Sequence, residues 1–185
     1  MFDKFKKYQQ NRVLRILTDP LRIKRIENIA NIREIGLIFT LGNETDWNII
    51  MNYTKQWEAQ GKYVRLVGIH PAKTTLNYVI SAKHVTICHE KKDLDFFNIP
   101  KDGVLDEFIK HRYDLVVDTT NQPNFLAQYT AAKALSDLKV TYLEKHETDT
   151  KMTESVFDVI LRDNGPIDIQ TYLNNVEQYL SIIKK

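Results

Sequence analysis

From residue 35 onward the chain alternates short runs of β-branched and aliphatic residues with longer amphipathic stretches. Strands that short cannot bury themselves, and parallel neighbours are reached only through a crossover, so this pattern calls for a largely parallel sheet covered by helices. The candidate strands are Ile35–Leu41, Tyr63–Ile69, Val85–His89, Asp114–Asp118, Val140–Leu143 and Phe157–Leu161. Between the first two, Asn43 or Thr45 caps a helix running to about Gln60, with Trp47, Ile50, Met51, Thr54 and Trp57 at helical spacing and Gly61 just past its end. Val104–His111 suits a short helix with Phe108 inward. Pro123 is placed as the first residue of a helix ending near Leu138, with Phe125, Tyr129, Ala132 and Leu135 or Ser136 on its buried side. A final helix follows Gly165-Pro166, carrying Ile169, Tyr172, Leu173, Val176, Tyr179, Leu180 and Ile183 at a period near 3.6. The expected architecture is α/β: a three-layer, Rossmann-like sandwich around a mostly parallel five- or six-stranded sheet. Residues 1–33 form a basic N-terminal helical arm and residues 34–185 a single α/β domain.

At 185 residues the chain is long enough to bury roughly two thirds of its unfolded surface without a disulfide or metal staple. Its hydrophobic share of 43% and charged share of 27%, with little Gly or Pro, exclude collagen-like and disordered classes. Apolar runs such as Ile35–Phe39 are too short to cross about 30 Å of hydrocarbon. The opening "MFDKFKKYQQNRVLR" lacks the apolar core of a signal peptide. These features predict a cytoplasmic protein. The single cysteine, Cys88, has no partner for an internal disulfide or a paired zinc site. The net charge of +2 hides an asymmetry, because nine Lys and Arg residues among residues 1–33 face only Asp3, Asp19 and Glu27. A basic arm therefore precedes an acidic body.

The stretches "ANIREIGLIFTL", "KKDLDFFNIP", "FIKHRYDLVVDTT" and "YLNNVEQYLSII" resemble an uncharacterised family of short α/β proteins from Bacteroidota, a domain of unknown function. The resemblance implies the α/β fold and a bacterial cytoplasmic setting. It implies no catalytic residues and no cofactor.

Ligands of doubly wound α/β folds sit outside the carboxyl ends of the strands. The polar residues at those predicted exits are Thr40 and Asn43, His70, His89 and Glu90, Asp118 to Asn121, Glu144 and Lys145, and Arg162 and Asp163. Asp118-Thr119-Thr120-Asn121 is the densest group, and with Asn43 it forms the candidate ligand-binding set. Asp, Asn and Thr are also the usual helix-capping residues, so the same group reads first as the cap of the following helix and second as a ligand site. His70, in "VGIHP", would meet Asp118 for proton transfer if the second and fourth strands flanked the switch point. Cys88 and His89 are neighbours on a strand and point to opposite faces, which argues against a nucleophile and base. Phosphate-loop, dinucleotide, nucleophile-elbow and zinc-helix motifs are missing, and no metal-ligand set is indicated.

Two other segments invite an interaction reading. In the arm, Phe2, Phe5, Tyr8, Val13, Ile16 and Leu17 interleave with Lys and Arg, as a helix would to cover the domain, a partner subunit or an anionic membrane. The same face could touch nucleic acid, but with the rest of the body net acidic, packing against self serves about as well as any external polyanion. In "DLDFFNIP", Phe96 and Phe97 are consecutive and cannot both face one side of a strand, so a loop or edge is expected. Three functions follow as expectations. The first is a domain binding a small polar ligand or phosphometabolite. The second is an oligomeric interaction protein without a small-molecule site, assembled through the arm. The third is a transferase or hydrolase using His70 and Asp118.

Overall fold

The computed structural model describes residues 2–18, 21–73, 76–79, 83–120, 122–144 and 151–183, with Phe2 described by its backbone alone. The Asp19-Pro20 break, Asn121 and Lys145 lie outside the described residues. In chain order the elements are α1 (Phe2–Leu17), β1 (Glu34–Thr40), α2 (Glu44–Ala59), β2 (Tyr63–His70), β3 (Val85–His89), α3 (Asp106–Ile109), β4 (Arg112–Asp118), α4 (Phe125–Lys133), β5 (Leu135–Glu144), α5 (Lys151–Val156), β6 (Val159–Asp163) and α6 (Ile169–Ser181). The six strands lie in the order β3-β2-β1-β4-β5-β6 and every pairing is parallel. Strand order therefore reverses between β1 and β4, the switch point of a Rossmann-like sheet.

Alternation along the strands sends side chains into two apolar layers. On one face Leu37, Phe39, Leu115, Val117 and Val140 pack against Trp47 and Trp57 of α2 and Tyr172, Leu173 and Val176 of α6. On the other, Ile38, Val67 and Val116 meet Leu14 of α1, Phe108 of α3, Leu126 and Ala131 of α4 and Val156 of α5. Gly36 has a specific task here. A Cβ at that position would lie 2.8 Å from Phe108 Cζ, so the bare backbone is what admits the ring onto the sheet.

Three local expectations are corrected. The helix predicted from Pro123 to near Leu138 is shorter: Asn124 caps it, Phe125 opens it and Lys133 ends it. Leu135, Ser136 and Leu138 belong to β5 instead, pairing with Arg112, Tyr113 and Leu115. A short apolar run satisfies either period, and here the ladder to β4 outweighs one more helical turn. Of the two residues offered for the end of the buried stripe, Leu135 is exposed and Ser136 is buried, the latter as part of β5. Helix α5 carries Thr153 and Val156 into the interior between β5 and β6, where no helix was expected.

The arm packs onto the body. Leu14 is 1% exposed, Gln10 Nε2 donates to the Phe97 carbonyl at 2.9 Å, and the Phe5 and Phe97 rings meet at 6.0 Å. The following strap, residues 21–33, crosses the amino edge of the sheet. Arg22 donates to the carbonyls of Ser136 and Asp137 and to both Asp158 oxygens. Asn28 donates to Ser181 and Ile183 at the end of α6, while Lys62 Nζ reaches back to the carbonyls of Ile29 and Ile32.

Candidate functional site

Asp118 closes β4, a central strand, directly beside β1 through its register with Ile38. It is 3% exposed, and among the described residues it faces no cation. Its Oδ1 accepts from the Thr120 N–H at 3.0 Å and its Oδ2 from Thr141 Oγ1 at 3.2 Å. Burial lifts its carboxyl to about 6, against the opposing pull of the hydrogen bonds from Thr120 and Thr141. Thr119, also buried, extends the ladder: its N–H and Oγ1 both donate to the Ile38 carbonyl, at 2.8 and 3.1 Å. Thr120 Oγ1 turns to the Gln122 carbonyl at 3.3 Å.

The capping reading of this group is corrected. Asn124 caps α4, its Oδ1 accepting from the N–H groups of Leu126 at 2.8 Å and Ala127 at 3.2 Å. Asp118 lies at the strand end, before the loop, and spends its oxygens on the first turn of that loop and on β5. Asn43 is likewise the cap of α2, accepting from the Asp46 N–H at 2.8 Å. The two loops flanking the switch point are thus shaped by the residues singled out from the sequence. Asn121, the last of that set, lies outside the described residues.

His70 and Asp118 are not brought together. The strand between them is β1: Ile38 pairs with Asp118 on one side and with Val67 on the other. Two strand spacings across and three residues along put their Cα atoms about 14 Å apart, beyond the reach of proton transfer. His70 instead donates from Nδ1 to the Leu41 carbonyl at 2.9 Å, since a carbonyl can only accept. His89 does the same to the Ala72 carbonyl at 3.1 Å, and the two buried rings meet edge to face at 5.5 Å. Burial pushes the Cys88 thiol up to about 12, with Asp93 and Glu90 adding to the effect, so it holds no thiolate at neutral pH. Among the described residues no group of three or more His, Cys, Asp or Glu is placed to hold a metal ion.

The open concavity on this side of the sheet lies one layer out. A cavity of about 570 Å³ opens where α1 crosses the first turns of α4 and α5. Lys6, Lys7, Gln10 and Asn11 of α1 form one wall, and Pro123, Phe125 and Met152 part of the other. Its floor includes Gln128, buried and bonded through Nε2 to Thr153 Oγ1 at 2.9 Å. None of Asn43, Asp118, Thr119 or Thr120 lines it. The polar wall was missed because the arm was read as a covering element. Its signal was present: Asp3, Lys6, Lys7, Gln10 and Leu14 recur three and four residues apart, one face of a helix.

The sequence model described as "Family of unknown function (DUF6913)" matches residues 4–183. No curated protein matches the chain.

Proposed function

The chain belongs to that family of unknown function, and we propose that it is a binding domain for a small polar ligand carrying phosphate or carboxylate, held at the carboxyl side of the sheet. The observation that carries this reading is the cavity of about 570 Å³ with Lys6 and Lys7 on its α1 wall beside the opening turn of α4. Its size falls within the roughly 300–1,000 Å³ of small-molecule sites. The dipole at the start of α4 favours an anion, and Lys6 and Lys7 place positive charge on the facing wall, with Asp3 beside them. Asp118 is a positioning residue in this reading: it holds Thr120, just before α4 starts. A screen of phosphorylated and carboxylated metabolites by thermal shift tests it. A ligand at about a hundred times its dissociation constant stabilises the fold by about 2.7 kcal/mol. The shift should disappear in Lys6→Ala/Lys7→Ala and persist in Asp118→Asn. No shift with any anion, or a shift indifferent to both lysines, would sink it.

A second reading is favoured by one observation. Phe96 and Phe5 are 63% and 50% exposed, joined through Phe97 with ring separations of 5.3 and 6.0 Å, and Tyr8 of the same arm is 63% exposed. Such an aromatic patch suits self-association. Sedimentation of wild type against Phe5→Ser/Phe96→Ser tests it, a monomer in both cases being the negative result.

A further inference from the structure

A second, larger cavity of about 880 Å³ opens at the opposite edge of the sheet, where the strap passes the end of α4 and the starts of β4 and β5. Leu17, Ala134, Leu135 and Val156 give its walls an aliphatic stretch beside Thr18, Ser136 and Ser155, and its rim carries Leu21 and Ile23, which are 87% and 84% exposed. At its floor stands Lys139 of β5, 3% exposed, its Nζ 3.3 Å from the Ala132 carbonyl in the last turn of α4.

Among the described residues the charge there is unbalanced. Arg112 is paired with Asp137 at 2.6 Å and Glu154 with Arg162 at 3.2 Å, so these lining groups cancel locally. What remains is Arg22, Lys24 and Lys139 around one buried carboxylate, Asp158, with Lys133 at the end of α4. Asp158 is already spent, bound by both Arg22 and Lys24 and accepting the Lys139 backbone N–H at 2.8 Å. Burial, then Arg22 and Lys24, push the Lys139 amine down to about 8 while Asp158 opposes them. Three cations sharing one carboxylate repel one another, and a bound anion would relieve that. The carbonyl of Ala132 explains one of the three Lys139 donors as a helix-end contact. It does not explain an aliphatic stretch of wall beside a cationic floor.

We propose that this cavity binds a single-chain anionic amphiphile, a carboxylate or phosphate monoester whose head sits among Arg22, Lys24 and Lys139 and whose tail lies along Leu17, Leu21, Ile23 and Leu135. The depth of Lys139 selects a single molecule over a bilayer, because a flat headgroup surface does not reach a side chain 3% exposed at the floor of a cavity. The site lies at the amino edge of the sheet and is independent of the ligand proposed for the carboxyl side.

Calorimetric titration of the full chain with decanoate and with decyl phosphate, below micellar concentration, is the test. Both should bind saturably at one site per chain. Decanol, with the tail alone, and acetate or inorganic phosphate, with the head alone, should each bind at least ten-fold more weakly. Lys139→Met, which keeps the stem and removes the charge, should weaken decanoate roughly ten-fold or more, the scale of one lost charge-assisted contact. Lys139→Arg should restore much of the affinity, and Leu21→Asn/Ile23→Asn should weaken decanoate while leaving acetate unchanged. Thermal melts of each variant separate loss of binding from loss of fold. The proposal is overturned if decanol matches decanoate, if a folded Lys139→Met binds like wild type, or if only phosphatidylglycerol vesicles, and not the free amphiphiles, are bound.

Discussion

The two edges of this sheet handle a buried carboxylate in opposite ways. At the amino edge Asp158, with its side chain 4% exposed, is held by Arg22 at 2.5 Å and Lys24 at 3.0 Å. At the carboxyl edge Asp118, equally buried, has only neutral donors among the described residues, and its carboxyl rises to about 6. The paired carboxylate fastens a strap to the body. The unpaired one holds a loop at a cost in charge burial, and that cost falls at the switch point, where such folds place ligands. Structural charge is compensated here, and strained charge sits where a site is expected.

Breaking the compensated edge should have the largest effect. Arg22→Ala takes from Asp158 its closest cation, leaving the half-exposed Lys24 and the Lys139 backbone N–H in contact with it, and is expected to cost about 3 kcal/mol, as when one partner leaves a buried pair. Urea unfolding at pH 7 measures it, and Arg22→Met/Asp158→Asn should recover most of the loss. A cost under about 1 kcal/mol would mean that the strap is dispensable and the contrast between the edges unreal.

The opposite sign is expected at the carboxyl edge. Because the folded carboxyl of Asp118 titrates near 6, above its ordinary 3.8, the folded state binds the extra proton between those values. Its contribution to stability therefore falls as pH rises from below 4 through about 6. Asp118→Asn keeps an acceptor for the Thr120 N–H and removes the buried charge. It should raise stability by about 1–3 kcal/mol at pH 7 and change little below pH 4, as read from paired melts across that range. Equal effects at both ends of the range would show that charge burial is not the cause.

The smallest effect separates the cap from the strand end. Asn124→Ala should cost about 1 kcal/mol by leaving the Leu126 and Ala127 N–H groups without their acceptor, whereas Thr120→Ala should cost less than half of that. Comparable losses from both would mean that the loop, and not Asn124 alone, caps α4.

Period and composition alone determined the layer architecture, the boundaries of β1 and β3 to within a residue, the cap of α2 to Asn43 or Thr45, and most of the buried faces of α2 and α6, Tyr179 being the exposed exception. Each follows from local rules: alternation, helical recurrence and side-chain capping are set by neighbours in the chain. The loop around Phe96 and Phe97 was legible for the same reason. Only the tertiary structure decided that residues 135–138 extend a strand, because the partner that claims them is β4, more than twenty residues away. It also decided that β1 separates His70 from Asp118, since strand order is a property of crossovers and leaves no trace in any one run. The same holds for both cavities, each assembled from the N-terminal segment and helices over a hundred residues downstream. A sequence states which side chains share a face, but the charge a face meets depends on what the chain brings against it.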